Sequence, residues 1–257
     1  MSRFGPGLLV STQDGVATVA ISNPARRNAM TVGMWEALPR VLAGLAADPG
    51  VRVLVLTGEG DTFCAGADIS DFTGPGGVRG AQNAMIAAES ALAAFPRPTL
   101  AAVRGFCVGG GCQLALACDL RFAAEGARFG VTPARLGIVY PASSTRRLVE
   151  LAGPATAKYL LFSAELIDHD RALRAGLLDE VLPDAELDKR VREFADVLRS
   201  RSQLTQVAAK EFTAAVPAPE RAAYWIGQEE DSGEAVEGAA AFLERREPSF
   251  PWSPARG

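Results

Sequence analysis

Two short, almost wholly apolar runs set the strongest limit on what this chain can fold into. VRVLVLTG spans residues 51–58 and TLAAVRG spans residues 99–105. Each has the length of a strand but no polar face, which is typical of strands covered on both sides. Helices are predicted further along the chain, at about 81–94 and at about 111–117. Buried strands that alternate with helices predict an α/β fold.

The ends of the chain extend this alternating middle. Residues 8–13 and 16–22 are predicted strands joined by an Asp-Gly turn, which favours a hairpin. Thr31 is the expected cap of a helix that runs to about residue 47. From about Ser143 onward the chain is predicted to be mostly helical, with residues 176–183 as the one later strand.

Composition limits the classes of partner. The 257 residues carry a formal net charge of -4, and the densest basic spots are arginine pairs rather than tracts. Nucleic-acid binding usually needs a basic stripe, so no nucleic-acid partner is expected. No window approaches the ~18 apolar residues of a membrane helix. The opening stretch MSRFGPGLLV lacks the features of a signal peptide, so we expect a cytoplasmic protein without a membrane partner.

Four cysteines and a single histidine leave little room for metal or nucleophilic chemistry. Cys64, Cys107, Cys112 and Cys118 lack CxxC spacing, so we expect buried, reduced thiols and no metal site. Any catalytic triad would have to use His169. That residue lies between Asp168 and Asp170, either of which is a candidate helix cap, and is predicted to lie on the surface at a helix entry.

Two loops of small residues are the candidate sites. FCAGADIS (63–70) follows one buried strand, and GGGC (109–112) opens a helix after the next. Side chains this small let a ligand reach the backbone, and free N–H groups at a helix start favour an anion or a developing oxyanion. Each loop taken alone is equally compatible with a tight turn. Neither matches a P-loop or a Rossmann fingerprint.

Taken together, these motifs resemble the crotonase superfamily, also called the enoyl-CoA hydratase/isomerase family. The resemblance covers nearly the whole chain. It is carried, in order, by NPARRNAMT, VLTGEGDTFCAGADI, PTLAAVRGFCVGGGCQLALACDLRFAAEGARFG, LGIVYP, GLLDEVLP and EGAAAFLERREPSF. It implies a spiral of repeated ββα units over residues 1–195, with the acyl-CoA site. It also implies a C-terminal helical trimerisation region over residues 196–257.

The resemblance also implies roles for individual residues. Ala67 and Gly110 match the two residues whose backbone N–H groups hold a thioester carbonyl. Arg26 or Arg27 is expected near the phosphates and ribose of coenzyme A. No permanently bound cofactor is implied, because coenzyme A enters as part of the substrate, and a homotrimer or a dimer of trimers is expected. The path of coenzyme A is expected to be lined by Ala65, Gly66, Ala67, Asp68, Ile69 and Ser70.

The chain departs from the hydratase pattern at both catalytic carboxylates. Gln113 stands where family hydratases have a glutamate after GGGC, and Pro133 stands in place of the second. Neither residue accepts a proton near neutral pH, and each missing acid or base is typically worth ~10²–10⁴-fold in rate. Ordinary hydratase activity is therefore disfavoured, unless another carboxylate substitutes. The candidates in the sequence are Asp68, Asp71 and Glu89.

TPARLGIVY (132–140) resembles one subgroup, the methylmalonyl-CoA decarboxylase-like members. This predicts that Tyr140 lies in the pocket, with Thr132 and Gln113 as further neutral contacts. Decarboxylation of a malonyl-type CoA needs no base, because loss of CO₂ itself forms the enolate. The match is incomplete, since the decarboxylase has histidine where Ala67 stands. A hydratase or isomerase with a relocated carboxylate and a catalytically silent acyl-CoA-binding subunit remain the alternatives.

Overall fold

The centre of the fold is a sheet that helices cover on both faces. The computed structural model describes residues 2–3, 7–74 and 76–253. Within these residues, seven strands form the main sheet in the order β1-β2-β3-β4-β5-β7-β10, and three form a small sheet in the order β6-β8-β9. The strands are β1 (Ser2–Arg3), β2 (Leu8–Gln13), β3 (Val16–Ile21), β4 (Val53–Gly58), β5 (Thr99–Val103), β6 (Phe106–Val108), β7 (Leu120–Ala124), β8 (Arg128–Gly130), β9 (Ile167–Asp168) and β10 (Glu180–Leu182).

The apolar runs in the sequence are the central strands of the main sheet. β4 pairs in parallel with both β3 and β5. Leu54 and Leu56 of β4 lie in the larger hydrophobic core, whereas Val53 and Val55 lie in a second core on the opposite face. Both faces of this strand are therefore covered, which explains why it lacks a polar face. The predicted α/β class is confirmed.

The helices occur where the sequence predicts them, with small shifts at their ends. The hydroxyl of Thr31 accepts a hydrogen bond from the N–H of Met34 (3.4 Å), so Thr31 caps α1 as expected. α2 begins earlier than predicted, at Gly77. The helices are α1 (Val32–Ala47), α2 (Gly77–Ala93), α3 (Gly110–Ala117), α4 (Ala142–Ser163, kinked at Gly153), α5 (His169–Arg174), α6 (Asp184–Ser200), α7 (Gln203–Ala214), α8 (Pro219–Ser232) and α9 (Glu234–Glu244).

The small sheet forms a second layer that joins successive ββα units into a spiral. Its strands were not predicted from the sequence. β5 is followed by β6 and then α3, and β7 by β8, a short 3-10 helix and α4. β6 and β8 pair in parallel. Isolated parallel bridges, Met30 with Ala67 and Cys64 with Cys107, continue this second layer into the earlier units. Each ββα unit thus lies on the previous one, and strands of two or three residues carry too little periodicity to predict.

The C-terminal third is helical, as expected. The boundary predicted between residues 195 and 196 falls inside α6, whose last turn continues to Ser200. α6 covers the second face of the main sheet with Leu187, Val191 and Ala195. The next helix, α7, begins at Gln203, and residues 254–257 of the predicted trimerisation region lie outside the described residues.

The cysteines are buried as the sequence predicts, and His169 lies at the predicted helix entry but is only 22% exposed. All four cysteines are buried and free. His169 is the first residue of α5, which is capped by Asp168, and its Nδ1 accepts the N–H of Gly126 (3.1 Å). Over residues 2–3, 7–74 and 76–253, no helix is both long and apolar enough to cross a membrane.

Candidate active site

The two small-residue loops lie side by side. The N–H of Cys64 donates to the carbonyl of Phe106 (2.9 Å), and the N–H of Val108 donates to the carbonyl of Cys64 (3.0 Å). Gly66 has a φ of 110°, and a Cβ there would lie 3.0 Å from the carbonyl oxygen of Val108 and 3.5 Å from the nitrogen of Gly110. Only glycine adopts this backbone conformation without strain, so the close approach of the loops requires it.

The backbone N–H groups of Ala67 and Gly110 have no hydrogen-bond partner among the described residues. Ala67 lies beside Met30, whose N–H donates to Gly66 and whose carbonyl accepts from Asp68 (2.8 Å each). The N–H of Ala67 itself donates to no residue in the described ranges. The same holds for Gly110, the first residue of α3, whose N–H has no intrahelical acceptor. Unpaired donors of this kind favour an electronegative ligand atom.

Both donors belong to residues that line one cavity. Its volume is about 110 Å³. Except for Gln82, Thr132 and Tyr140, the side chains around it are apolar or absent, and no carboxylate or cation from the described part of the chain lines it. The lining residues are Ala65, Gly66, Ala67, Ile69, Phe72, Gln82, Met85, Gly109, Gly110, Thr132, Pro133, Leu136, Ile138, Tyr140 and Pro141.

Gly110 packs closely against the Trp35 ring and the Met85 methyl group, which lie on the protein interior side of it. A Cβ at this position would lie 2.8 Å from the Trp35 ring and 2.9 Å from the Met85 methyl carbon. Trp35 is fully buried, and its indole N–H donates to the carbonyl of Met30 (3.1 Å). The Trp35 ring therefore cannot yield easily, and the first turn of α3 keeps its distance from the Ala67 loop only with glycine at position 110.

Tyr140 separates the cavity from a buried polar region. It lines the cavity, but its hydroxyl is shielded from solvent and has no hydrogen-bond partner among the described residues. Burial raises the pKa of Tyr140 well above its ordinary value, and the neighbouring Cys112 and Glu89 raise it further. The phenol is therefore neutral at pH 7 and is a hydrogen-bond donor rather than a base.

Gln113 lies behind the cavity rather than in its lining. It is 1% exposed, and its Nε2 donates to Glu89 Oε2 (2.7 Å). Its Oε1 has no partner among the described residues. Pro133, by contrast, lies in the cavity lining, and Thr132 borders the glycine turn, with its Oγ1 3.8 Å from where a Cβ of Gly109 would stand.

Each carboxylate proposed as a substitute base is already engaged. Asp68, which is 6% exposed, accepts from Ser70 Oγ (2.7 Å) and from Arg26 Nη1 (2.9 Å). These hydrogen bonds, that from Ser70 foremost, lower the pKa of Asp68. Asp71 accepts the N–H of Val32 (2.7 Å) at the start of α1.

Glu89 is the most enclosed of the three. It is 1% exposed and accepts from Gln113, from Ser144 Oγ (2.6 Å) and from Arg147. The lone pairs that a base would use are therefore largely taken, and its charge is compensated by the guanidinium of Arg147.

The residues expected to hold coenzyme A lie around the first loop. Arg26 is 57% exposed and is oriented by its pairing with Asp68. Arg27 is also exposed, with its guanidinium carbon 5.1 Å from the centre of the Phe106 ring, and its carbonyl accepts the N–H of Ala65 (3.0 Å). Ile69 is 59% exposed at the edge of the cavity. The structure thus places these residues around the loop that contains Ala67.

Sequence reasoning missed the residues that fix the site from behind. Trp35, Met85, Ser144 and Arg147 belong to no motif that stood out. One signal was present for Glu89: on α2 it lies on the buried face with Met85 and Leu92, where a charged side chain is rare unless paired.

Comparisons with known proteins identify the family of this chain. The family model for enoyl-CoA hydratase/isomerase matches residues 11–252. The chain belongs to the enoyl-CoA hydratase/isomerase family. Crotonyl-CoA hydratase of Syntrophomonas wolfei is 33% identical over 252 residues, which cover 95% of this chain and 97% of that protein. The 2,3-dehydroadipyl-CoA hydratase of Escherichia coli is 32% identical over 95% of this chain and 98% of its own length.

Solved structures of family members also resemble this chain over nearly its whole length. A putative enoyl-CoA hydratase/isomerase family protein from Hyphomonas neptunium has a TM-score of 0.90 at 33% identity, covering 96% of this chain and 98% of that one. Another family member has a TM-score of 0.89 at 39% identity, covering 96% and 99%. The crotonase-type fold predicted from the motifs is therefore confirmed.

Proposed function

We propose that this enoyl-CoA hydratase/isomerase family protein decarboxylates a malonyl-type CoA thioester, with the N–H groups of Ala67 and Gly110 stabilising the enolate. One observation carries the proposal. The unpaired N–H groups of Ala67 and Gly110 belong to residues that line one cavity, and no carboxylate of the described residues lines it. That arrangement suits a reaction in which the substrate generates its own enolate.

The chemistry follows from where charge develops. The bond between the α-carbon and the carboxylate breaks, CO₂ leaves, and the electron pair passes into the thioester as an enolate. A proton from solvent then adds to the α-carbon and gives the acyl-CoA. The thioester oxygen carries the new negative charge, and two fixed N–H groups stabilise it more in the transition state than in the ground state. Losing one such donor typically costs ~10²–10³-fold in rate.

The neutral side chains suit the substrate carboxylate. In this proposal the Tyr140 hydroxyl turns towards the carboxylate and donates to it, holding it perpendicular to the thioester plane. Thr132 supplies a further neutral contact, and Gln113 acts from behind the cavity. A cation here would stabilise the ground-state carboxylate and oppose its loss, and none lines the cavity in the described ranges.

Coenzyme A is proposed to bind along the loop from Ala65 to Ser70. This loop contains Ala65, Gly66, Asp68, Ile69 and Ser70, and Arg26 and Arg27 are exposed cations beside it that suit phosphate groups. The thioester brings coenzyme A with it, so no resident cofactor is required. Assembly as a homotrimer or a dimer of trimers, and a cytoplasmic location, stay proposals from the family resemblance.

The names of the relatives favour a second candidate, hydration of an enoyl-CoA. Relatives about a third identical are named crotonyl-CoA hydratase and 2,3-dehydroadipyl-CoA hydratase. Against this candidate stand Gln113 and Pro133, and the prior engagement of Asp68, Asp71 and Glu89. Hydration would need one of these carboxylates to be released.

Mass spectrometry of CoA thioesters after incubation with the purified protein separates these functions. Methylmalonyl-CoA and crotonyl-CoA would be offered in parallel. We expect loss of CO₂ from methylmalonyl-CoA and no enzymatic addition of water to crotonyl-CoA. Hydration of crotonyl-CoA at an enzymatic rate would overturn the proposal in favour of the second candidate. Binding of both thioesters without turnover would favour a catalytically silent acyl-CoA-binding protein.

A further inference from the structure

Glu89 connects three helices that lie next to the cavity. Its carboxylate belongs to α2, and it accepts from Gln113 on α3 and from Ser144 and Arg147 on α4. The same three helices, or the turns that lead into them, carry the cavity residues Gln82 and Met85, Gly110, and Tyr140. A single buried carboxylate therefore connects the helix that begins at Gly110 with the helix that begins two residues after Tyr140.

The carboxylate also decides which way the Gln113 amide points. An ionised carboxylate has acceptors only, so it requires the NH₂ end of the amide towards Glu89. The Gln113 carbonyl oxygen must then face away from Glu89, where it has no partner among the described residues. Rotation of the amide would place two oxygens in contact and leave two donors unpaired, which is costly in a buried site. The orientation is therefore fixed by chemistry.

Gln113 transmits this restraint to the first turn of α3. Its backbone N–H donates to the carbonyl of Gly109 (3.0 Å), directly before Gly110. On the other side, the Trp35 ring and the Met85 methyl group prevent Gly110 from moving inward. The Gly110 N–H is thus held between a packed wall and a hydrogen-bonded anchor.

We propose that Glu89 is a positioning residue, which acts through Gln113 and Ser144 to hold the Gly110 N–H and Tyr140 in register on the thioester. Glu89 does not contact the substrate and transfers no proton. The inference rests on the proposed function, because it assumes that the Ala67 and Gly110 donors bind the thioester carbonyl. It predicts that the loss of Glu89 weakens polarisation of the carbonyl more than it weakens binding.

Isotope-edited infrared spectroscopy of bound [1-¹³C]propionyl-CoA tests this directly. Propionyl-CoA has no carboxylate to lose, so the measurement does not depend on turnover. Hydrogen bonds from two N–H groups shift the carbonyl stretch to lower wavenumber than in free propionyl-CoA. We expect the shift in the wild-type protein and its loss in Glu89→Gln, with the Kd for propionyl-CoA little changed. In turnover, kcat should fall by up to ~10²-fold while KM changes little.

A matched control and a second variant keep the test decisive. Glu150→Gln removes a glutamate that pairs with Arg146 on the exposed face of α4, and it should retain the full shift. If Glu89→Gln does not fold, Ser144→Ala keeps the Glu89–Arg147 pair and removes one hydrogen bond, so it should lose part of the shift.

The possible failures are distinct. A full shift in Glu89→Gln, or in Ser144→Ala where only that variant folds, would overturn the positioning role and leave the proposed function standing. No shift in the wild-type protein would overturn the proposed carbonyl site, and the positioning role with it.

Discussion

Gln113 donates a hydrogen bond from its Nε2 to Oε2 of Glu89, 2.7 Å away, inside the protein and behind the cavity. Gln113, at which the family resemblance predicts a glutamate in a hydratase, is therefore the neutral partner of a buried carboxylate. The Gln113 amide can donate a hydrogen bond to the Glu89 carboxylate, which a second carboxylate could not do when ionised. This pairing explains why glutamine is stable at a position where the family resemblance predicts a glutamate.

Gln113→Glu should not create a hydratase. Two carboxylates would then meet at hydrogen-bonding distance, and they cannot both be ionised without a large cost. We expect the free energy of unfolding to fall relative to wild type as pH rises above the ordinary glutamate pKa of about 4.3, because the unfolded carboxyls then ionise while the folded pair has to retain a proton. Urea unfolding at pH 5 and pH 8 measures this. The double variant Glu89→Gln/Gln113→Glu, which restores an amide–carboxylate pair, should recover stability at pH 8.

Tyr140→Phe should separate activity from stability. The hydroxyl is buried without a protein partner among the described residues, so its removal leaves no new unsatisfied group. We expect an unchanged or slightly higher melting temperature. The kcat for decarboxylation should fall by ~10–10²-fold, which corresponds to a loss of ~1.4–2.7 kcal/mol of transition-state stabilisation. An unchanged kcat in the folded variant would remove Tyr140 from the mechanism.

Gly110→Ala should displace the first turn of α3. The added methyl carbon would lie 2.8 Å from the rigid Trp35 ring, so the helix must shift. We expect destabilisation of ~1–3 kcal/mol and a loss of kcat of ~10²-fold or more. Gly80→Ala on α2 is the control, because nothing lies within 4 Å of its added methyl. Thermal unfolding and turnover of both variants, compared side by side, check this, and similar effects of the two would contradict it.

Asp68→Asn should lower stability in a pH-dependent way. The folded-state pKa of Asp68 lies below its ordinary value, so its stabilising contribution is present above about pH 4 and is lost as pH falls through the folded-state pKa. We expect the variant to lose ~1–2 kcal/mol at pH 7, since solvent screens the exposed Arg26, and to approach wild type near pH 2.

Urea unfolding from pH 2 to pH 7 measures this difference. Asp196→Asn provides a comparison, because it breaks an exposed pair with Arg199 and should have little effect. A stability difference for Asp68→Asn that does not shrink on acidification would contradict the assignment.

The thiols should be inert in the native protein. Burial raises the pKa of both Cys64 and Cys118 to about 12, so neither forms a reactive thiolate at neutral pH. A disulfide reagent at pH 8 should titrate none of the four cysteines before unfolding and all of them in denaturant. Because these pKa values are raised, stability should also decline as pH rises from about 8.5 towards 12. Rapid labelling of the native protein would contradict the burial of these groups.

Much of the fold was predictable because local signals agreed with one another. β4 and β5 were recognisable from runs without a polar face, and the start of α1 from its cap at Thr31. The loops at 63–70 and 109–112 stood out because residues without side chains leave backbone donors accessible. The strands of the small sheet were missed, because two or three residues such as Ile167–Asp168 show no period and depend on their neighbours for pairing.

The sequence by itself determined the composition of the site: two glycine-rich or alanine-rich loops, no glutamate at positions 113 and 133, and a tyrosine at position 140. Only the tertiary structure decided how these residues are used. Asp68, Asp71 and Glu89 were equivalent as candidate bases in the sequence. The fold engages each with different donors and encloses Glu89 most completely. The physical reason is that burial and hydrogen bonding depend on residues far apart in the chain, such as Glu89, Gln113 and Ser144, which meet only when the helices pack.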